Sequence, residues 1–231
     1  MIKRTAAAVH SAVSPQPVAV ALAYISGLSL LCRNVFPRSL GKRVQNSIYS
    51  IPSWPDMKLR ARTVLFGRRT KLRLIPHIGE YDGEALFQRR ITYEAPIAAW
   101  LEANAAASYD VIIEIGANIG LYSVFFDALI KRFPHSRLKR VVAFEPSKKA
   151  YQRLIENVTV NRATNVQVFN AAVGGESDFR SFFEPDGHLC NGSLNRDFAA
   201  IFSQSVSESV IEVVRADQLN RFIGRGERGV R

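Results

Sequence analysis

The chain has 231 residues, 47% of them hydrophobic, which is enough for one globular domain or for one domain with an N-terminal extension. Its formal net charge is +11, and the excess lies between Arg33 and Arg73, where eleven Lys/Arg accompany a single acid, Asp56. Such a basic segment is typical of contact with anionic lipid, phosphate-bearing substrates or nucleic acid, or it is a solvated face. Two cysteines and four scattered histidines have no metal-binding spacing, so no metal site and no disulfide framework are predicted.

The N-terminal part lacks a regular pattern. Residues 17–32 form an apolar run that is shorter than the roughly 20 residues of a spanning helix, so a soluble or membrane-surface helix is favoured. Prolines interrupt the basic stretch that follows, although 60–65 and 70–75 have the alternation of strands. We therefore expect residues 1–75 to be an extension of a cytoplasmic protein, with peripheral membrane contact through residues 17–73.

The centre of the chain alternates strand and helix patterns. Strands are predicted at 110–115, 141–144 and 165–170, with helices at 119–133 and after Ser147 between them. This rhythm predicts an α/β fold, a Rossmann-like parallel sheet with helices on both faces. A helix at 94–107 precedes this unit, and further strands at 178–183 and 210–214, antiparallel or peripheral, follow it.

The spacing of apolar residues predicts which side of each helix is buried. In helix 94–107 we expect the buried side to contain Ile97, Trp100 and Leu101. In helix 119–133 we expect it to contain Leu121, Val124, Phe125, Ala128 and Leu129. In the helix after Ser147 we expect it to contain Tyr151, Leu154, Ile155 and Val158.

A glycine-rich turn follows the first central strand. Gly116, Asn118 and Gly120 come at spacings of two, and an amphipathic helix begins immediately afterwards. Small residues let backbone N–H groups approach a ligand closely at such a helix N-terminus. The segment therefore predicts a cofactor cradle, although the turn alone fits a dinucleotide as well as S-adenosylmethionine.

Two acids favour S-adenosylmethionine. Glu114 ends the strand before the turn, where it would repel a pyrophosphate and attract the ammonium and sulfonium groups of a methyl donor. Glu145 ends the second strand, where its carboxylate can accept hydrogen bonds from both ribose hydroxyls of an adenosine. The turn also differs from G-x-G-x-x-G. The structural alternatives are an ion-paired Glu114 and a Glu145 that only complements a helix N-terminus.

Three successive motifs resemble the FkbM-type methyltransferases, a class I S-adenosylmethionine-dependent family. They are Glu114-Ile-Gly-Ala-Asn-Ile-Gly120, Ala143-Phe-Glu-Pro146 and Asn170-Ala-Ala-Val-Gly174, and the resemblance covers about 80–217. Tyr93-Glu94 and Asn191-Gly-Ser-Leu194 are also similar to that family. The resemblance implies a methyltransferase domain at residues 76–231.

The resemblance also assigns roles to residues. It implies that the glycine turn holds the methionine moiety, that Glu145 holds the ribose, and that Asn170 and Ala171 flank the adenine. The predicted cofactor-binding residues are Glu114, Gly116, Ala117, Asn118, Gly120, Glu145, Asn170 and Ala171. It implies methyl transfer to a hydroxyl oxygen of a sugar, glycolipid or secondary metabolite.

The C-terminal end departs from the family pattern. Family members continue after the segment matching 213–219 with a strand that bears an acid and a glycine, and this chain has none before Arg231. We therefore expect a C-terminal truncation that leaves strand 110–115 without a partner on one side, as an exposed apolar edge.

The sequence leaves the chemistry only partly determined. No general base can be assigned, and the candidates are His77, Tyr93, Glu94 and His188. The partner is expected to be a small-molecule or glycan acceptor and not a nucleic acid, because aromatic residues do not alternate with the basic ones. The alternatives are a nicotinamide-dependent oxidoreductase and an inactive cofactor-binding fragment.

Overall fold

The computed structural model describes residues 25, 27–49, 59–77, 81–224, 226–227 and 229–230. The helices are α1 (27–34), α2 (Arg38–Tyr49), α3 (Glu84–Phe87), α4 (Ala95–Ser108), α5 (Leu121–Arg132), α6 (Lys148–Val160) and α7 (Arg196–Ala200). The strands are β1 (Arg62–Phe66), β2 (Thr70–Leu74), β3 (Val111–Ile115), β4 (Arg140–Phe144), β5 (Val166–Phe169), β6 (Ala171–Gly174), β7 (Asp178–Pro185), β8 (Val206–Arg215) and β9 (Gly229–Val230). Two 3-10 helices cover Tyr81–Gly83 and Ala216–Phe222.

A parallel sheet lies at the centre, in the strand order β5-β4-β3-β9. β3 and β4 pair in register from Val111 with Arg140 to Ile115 with Phe144, so their carboxyl ends lie side by side. Helices α5 and α6 connect β3 to β4 and β4 to β5, which gives the strand–helix repeat that the sequence predicts. The predicted α/β fold with a parallel sheet is confirmed.

The two faces of the sheet are covered differently. On one face, Ile112 and Val141 pack in a cluster with α5 residues such as Leu121 and Phe125. On the other face, a second cluster includes Phe144 of β4 and Leu219 of the second 3-10 helix. The central strands are therefore shielded on both sides, as a short strand of mostly β-branched residues requires.

The β1–β2 hairpin belongs to the first cluster. Phe66 is fully buried and makes edge-to-face contacts with Tyr122 and Phe125 of α5. The turn of the hairpin is held by Glu102 of α4, whose carboxylate accepts hydrogen bonds from the backbone of Arg68 and Arg69. The predicted domain boundary at residue 75 stays a prediction.

Asn157 of α6 links the hairpin to the turn after β3. Its side chain is fully buried, and its Nδ2 donates to the Ile119 carbonyl at 2.9 Å while its Oδ1 accepts from the Ile75 N–H at 3.0 Å. Without Asn157, the Ile119 carbonyl and the Ile75 N–H would be buried polar groups that lack a hydrogen-bond partner. One amide side chain thus fixes the position of the glycine turn relative to the end of β2.

The buried sides of the helices agree with the sequence in α5 and disagree elsewhere. Leu121, Val124, Phe125 and Leu129 are buried and Ala128 is half-buried. In α6, Leu154 is buried and Tyr151 and Val158 are half-buried, but the prediction for Ile155 is wrong because its side chain is exposed. Arg153 and Asn157 occupy the buried face in addition to Leu154.

The prediction for α4 is also wrong. Ile97 and Trp100 are 51% and 57% exposed, and Leu101 is half-buried. The buried positions are the alanines Ala98, Ala105 and Ala106. Ala98 and Ala105 belong to the cluster that also contains Phe66 of β1 and Phe125 of α5, so tertiary packing selects these positions for burial.

A second sheet has the order β6-β8-β7. β7 pairs with β8 in antiparallel register, which confirms the antiparallel expectation for this region. β6 pairs with β8 in parallel register.

The expectation of an unpaired edge on β3 is corrected. β9 pairs with β3 in parallel register, with Gly229 opposite Val111 and Val230 opposite Ile112. The pairing residues lie in the Gly/Arg-rich end of the chain, where the sequence has no strand periodicity. A two-residue strand gives no such signal, since alternation needs four residues or more.

The predicted apolar segment 17–32 lies largely outside the described residues, and its described part begins α1. Within the ranges that the structure describes, none of the helices has the length and apolar character needed to cross a bilayer.

We predict that Asn157→Ala lowers the free energy of unfolding by about 2 to 4 kcal/mol, because it leaves the Ile75 N–H and the Ile119 carbonyl buried without partners. Chemical denaturation followed by circular dichroism measures this change.

Thr159→Ala is the matched control on the same helix. Its exposed hydroxyl donates only to the Ile155 carbonyl one turn earlier, so its loss should cost less than about 0.5 kcal/mol. Equal effects of the two substitutions would contradict the role given to Asn157.

Candidate functional site

The turn between β3 and α5 has three residues with left-handed backbone. Gly116, Asn118 and Gly120 have φ of 75°, 51° and 78°. A Cβ at Gly120 would meet Leu154 Cγ at 2.9 Å, whereas a Cβ at Gly116 would meet nothing within 4 Å. Gly120 is therefore required for packing, while Gly116 borders open space next to the strand end, where a ligand can approach the backbone.

Glu145 holds this turn in place. Its side chain is buried, and its carboxylate accepts one hydrogen bond from the Asn118 N–H at 2.6 Å and another from the Ser147 N–H at 2.8 Å. Ser147 in turn caps α6, since its Oγ accepts from the Ala150 N–H. The carboxylate thus joins the glycine turn to the start of α6.

Burial also changes the acidity of Glu145. Desolvation raises its pKa to about 7, against the lowering effect of the Ser147 and Asn118 N–H groups, and the charge of Glu184 raises it further. Glu184 lies close by, because its carboxylate accepts a hydrogen bond from the Ser147 hydroxyl. Glu145 is therefore divided between its two protonation states at neutral pH.

Glu114 lies at the end of β3 and is half-buried. Desolvation raises its pKa to about 8, the hydrogen bond from Ser123 opposes the rise, and the nearby charge of Glu145 adds to it. The Ser123 hydroxyl, fully buried on α5, donates to Glu114 at 2.5 Å. Glu114 is thus mostly neutral at pH 7, which corrects the assumption that it is a fixed negative charge.

Tyr93 and Glu94 lie beside the same turn. The Tyr122 hydroxyl donates to Glu94 at 2.8 Å, and the pKa of Tyr122 is raised by burial, by Glu94 and, more weakly, by Tyr93 and Glu114. Glu94 itself has a left-handed backbone with φ of 47°, which is uncommon for a residue with a side chain. Two of the four candidate bases therefore lie near the predicted cradle.

Asn118 has an incomplete set of partners. Its Nδ2 donates to the thiol sulfur of Cys190 at 2.9 Å, and its Oδ1 is buried without a hydrogen-bond partner. A buried amide oxygen without a partner is costly in free energy, and a donor group on a ligand would relieve that cost.

Asn170 lies at the end of the third parallel strand. Its Nδ2 donates to the carbonyls of Glu145 at 2.8 Å and Pro146 at 3.0 Å, so it fixes the segment after β4. Ala171 is buried in the cluster beneath. The structure therefore brings Asn170 next to Glu145, whereas contact of Asn170 and Ala171 with an adenine stays a prediction.

The two histidine candidates have other surroundings. His77 is buried, and its Nδ1 lies 2.8 Å from the buried carboxylate of Asp82. His188 lies in the loop after β7 and lines a cavity of about 240 Å³ together with Lys149 and Glu184. Within the described ranges, no group of His, Cys, Asp and Glu has the arrangement of a metal site.

The structure adds four residues that the sequence reading did not select: Tyr122, Ser123, Glu184 and Cys190. Tyr122 and Ser123 follow Gly120 directly, so their position in the first turn of α5 was a usable signal. Glu184 and Cys190 come from the second sheet and its following loop, and nothing in the local pattern brings them to this place.

Comparison with known proteins gives a limited result. A scan against protein-family models finds no match, and a search of the curated proteins finds none either. The resemblance to FkbM-type methyltransferases therefore stays a prediction.

Several solved structures are similar in part. They include M. jannaschii TYW2 in complex with AdoMet, with 22% identity over 46% of this chain and 45% of that chain and a TM-score of 0.28. The complex of aTrm5 with tRNALeu has 11% identity over 65% of this chain and 54% of that chain, with a TM-score of 0.28. The transferase PH0793 from Pyrococcus horikoshii has 11% identity over 74% of this chain and 97% of that chain, with a TM-score of 0.25.

The chain thus spans about half the length of the first two of these proteins. Likeness at this level assigns neither substrate nor partner to this chain. The expected absence of a nucleic-acid partner stays a prediction. The strand order and the turn geometry define an α/β protein of Rossmann-like type with a candidate cofactor cradle after β3.

We predict that Glu114→Gln makes the protein more stable at pH 8 and leaves its stability at pH 5 nearly unchanged. The folded state holds the proton of Glu114 up to about pH 8, whereas the unfolded chain loses it near the ordinary value. The stability that protonated Glu114 contributes is complete below the pKa that Glu114 has in the unfolded chain. It is lost as pH rises through the pKa that Glu114 has in the folded protein. The slope is at most about 1.4 kcal/mol per pH unit for one proton.

Urea denaturation at pH 5, 6, 7 and 8 measures the difference between variant and wild type. Glu208→Gln is the control, because that side chain is half exposed in β8. A constant difference across the pH range would contradict a raised pKa for Glu114.

Proposed function

We propose that this chain binds S-adenosylmethionine in the turn after β3 and transfers its methyl group to a hydroxyl oxygen. The observation that supports this most is the open space at Gly116 between the ends of two parallel strands, β3 and β4, that carry Glu114 and Glu145. Ligands of open parallel sheets bind at the carboxyl ends of the strands, and this is the end where the two acids lie.

The residues present suit each part of that cofactor. The unpartnered Asn118 Oδ1 suits the methionine moiety, whose ammonium is a donor. The N–H groups of Gly116 and Ala117 are already used, since both donate to the Phe144 carbonyl at 2.9 Å. Glu114 would become charged beside that ammonium, because an opposite charge nearby favours the ionised carboxylate. Glu145 keeps acceptor capacity for ribose hydroxyls, since each carboxylate oxygen has two lone-pair sites.

A dinucleotide suits the same residues less well. Its pyrophosphate is anionic and would keep Glu114 neutral, with no ion pair gained, and the pyrophosphate itself offers no donor to the Asn118 oxygen. The two carboxyl groups thus favour a cationic ligand, although Glu114 is neutral before the ligand arrives.

The chemistry follows from the bound donor. S-adenosylmethionine supplies an electrophilic methyl group, so the chain has to align an acceptor hydroxyl with that methyl and remove the hydroxyl proton. As the oxygen–carbon bond forms, the carbon–sulfur bond breaks and the electron pair leaves with sulfur. We infer that Glu94 takes the proton, since its carboxylate lies beside the turn and is oriented by the Tyr122 hydroxyl.

The class of acceptor follows from the resemblance to FkbM-type enzymes alone. We propose a hydroxyl of a sugar, a glycolipid or another small molecule. Tyr93 is 47% exposed next to Glu94 and offers an aromatic surface for such an acceptor.

We predict that Glu145→Ala lowers the affinity for S-adenosylmethionine by tenfold or more. The variant removes the acceptor for the ribose hydroxyls, and a hydrogen bond to a charged group is worth about 1.5 to 3 kcal/mol. Isothermal titration calorimetry with the purified chain measures the dissociation constant.

Glu208→Ala serves as the control, because it removes an exposed carboxylate of β8 and should bind the donor like the wild type. Thermal melts of both variants without ligand separate loss of binding from loss of folding. Unchanged affinity in Glu145→Ala, or tight binding of NADH in place of the methyl donor, would overturn the proposal.

We also predict that the donor releases protons when it binds at pH 7. Ligand cations lower the pKa of Glu114 from about 8, so the complex holds fewer protons than the free protein. Affinity should therefore rise as pH rises from 6 to 8. Calorimetry in two buffers with different ionisation enthalpies gives the number of protons released.

Glu114→Gln should release fewer protons and show a weaker pH dependence. Proton uptake on binding, or identical proton release in the variant, would contradict the role of Glu114 even if Glu145 proves essential.

A further inference from the structure

The described part of residues 25–77 is strongly one-sided in charge. It contains no Asp or Glu. Its Lys and Arg residues are Arg33, Arg38, Lys42, Arg43, Arg60, Arg62, Arg68, Arg69, Lys71 and Arg73. In the full sequence Asp56 is the single acid of this region, so its charge favours anionic partners.

Helices α1 and α2 are fixed to the body of the protein. Cys32 is buried in a cluster with Phe87 of α3, and Val44 of α2 packs against that cluster. The Arg33 guanidinium donates to the carbonyls of Ala85 at 2.5 Å, Gln88 at 2.5 Å and Thr63 at 2.6 Å. Arg33 therefore has a structural role, and its hydrogen bonds fix the position of the helix pair.

The helix pair also has exposed aliphatic side chains. Leu30 and Leu31 on α1, Val35 in the following turn and Leu40 on α2 are all exposed, and Val35 is the most exposed of them at 68%. We call these four residues the leucine–valine patch. A group of exposed aliphatic residues is a candidate interaction surface.

Cations lie on the helix that begins three residues after Val35. Arg38, Lys42 and Arg43 are exposed on α2, and Arg38 and Lys42 lie one helical turn apart. A helix with aliphatic and cationic positions on its solvent side is the arrangement of interfacial helices, in which the apolar residues enter the acyl boundary and the cations contact headgroups.

We propose that α1 and α2 dock this chain on the surface of an anionic lipid bilayer, with the leucine–valine patch inserted and Arg38, Lys42 and Arg43 against the headgroups. Neither group alone indicates this partner. Cations without aliphatic residues would suit nucleic acid, whose affinity comes from phosphate contacts, and the patch offers no aromatic ring for base stacking.

The experiment is sedimentation of the purified full chain with sucrose-loaded vesicles. We use phosphatidylcholine vesicles with and without 30% phosphatidylglycerol, at salt concentrations of about 50 and 500 mM. The protein should sediment with the anionic vesicles at low salt, and high salt should weaken the interaction because it screens surface charge.

Two variants separate the contributions. Arg38→Gln/Lys42→Gln/Arg43→Gln should reduce affinity for anionic vesicles roughly 100-fold, since each cation near an anionic leaflet contributes about fivefold. Leu31→Ser/Val35→Ser should reduce it while keeping the salt dependence, because the charges remain.

Each variant has a matched control at exposed positions elsewhere in the chain. Ile201→Ser/Val210→Ser removes two side chains that are 74% and 72% exposed. Lys139→Gln/Lys148→Gln/Arg180→Gln makes the same change in net charge. Both controls should sediment like the wild type.

Three results would overturn the proposal. One is equal sedimentation with neutral and anionic vesicles. Another is an equal loss of binding in the variants and their controls, which would indicate net charge only. The third is absence of vesicle binding together with salt-sensitive binding of tRNA, which would assign the basic surface to nucleic acid.

Discussion

The geometry of the candidate site depends on the carboxylate of Glu145. It accepts one hydrogen bond from the Asn118 N–H in the glycine turn and one from the Ser147 N–H at the start of α6. Both donors are backbone groups that a helix or a turn would otherwise leave unpaired. The end of β4 therefore determines where the turn after β3 lies, and Asn157 determines its other side through the Ile119 carbonyl.

This arrangement makes the ligand-free site electrostatically unfavourable. Glu114 and Glu145 lie on neighbouring strands, and burial raises the pKa of both. Keeping two acids here costs stability as pH rises above the ordinary carboxyl pKa, because the folded state resists their ionisation. Binding sites often retain such groups at the expense of stability, and a cationic ligand would offset this cost.

The parallel sheet was predictable because its signals are local. Short apolar strands, helix periodicity and the cap at Ser147 are each visible within a few residues. The buried side of α4 was not predictable from the sequence. Ile97 and Trp100 have the spacing of a buried face, but tertiary packing buries the alanines instead. The β9 pairing and the positions of Glu184 and Cys190 depend on contacts between distant segments, which a local pattern does not encode.

The protonation of Glu114 shows that residue types alone do not determine which ligand a site can bind. A carboxylate before the turn argues for a cationic ligand only if it is charged, and the free protein holds this group mostly neutral at pH 7. A cation would recover the ionised state on binding, whereas a pyrophosphate would not. In the proposed function, selectivity would arise from a change in protonation during binding, with Ser123 stabilising the ionised carboxylate through its hydroxyl.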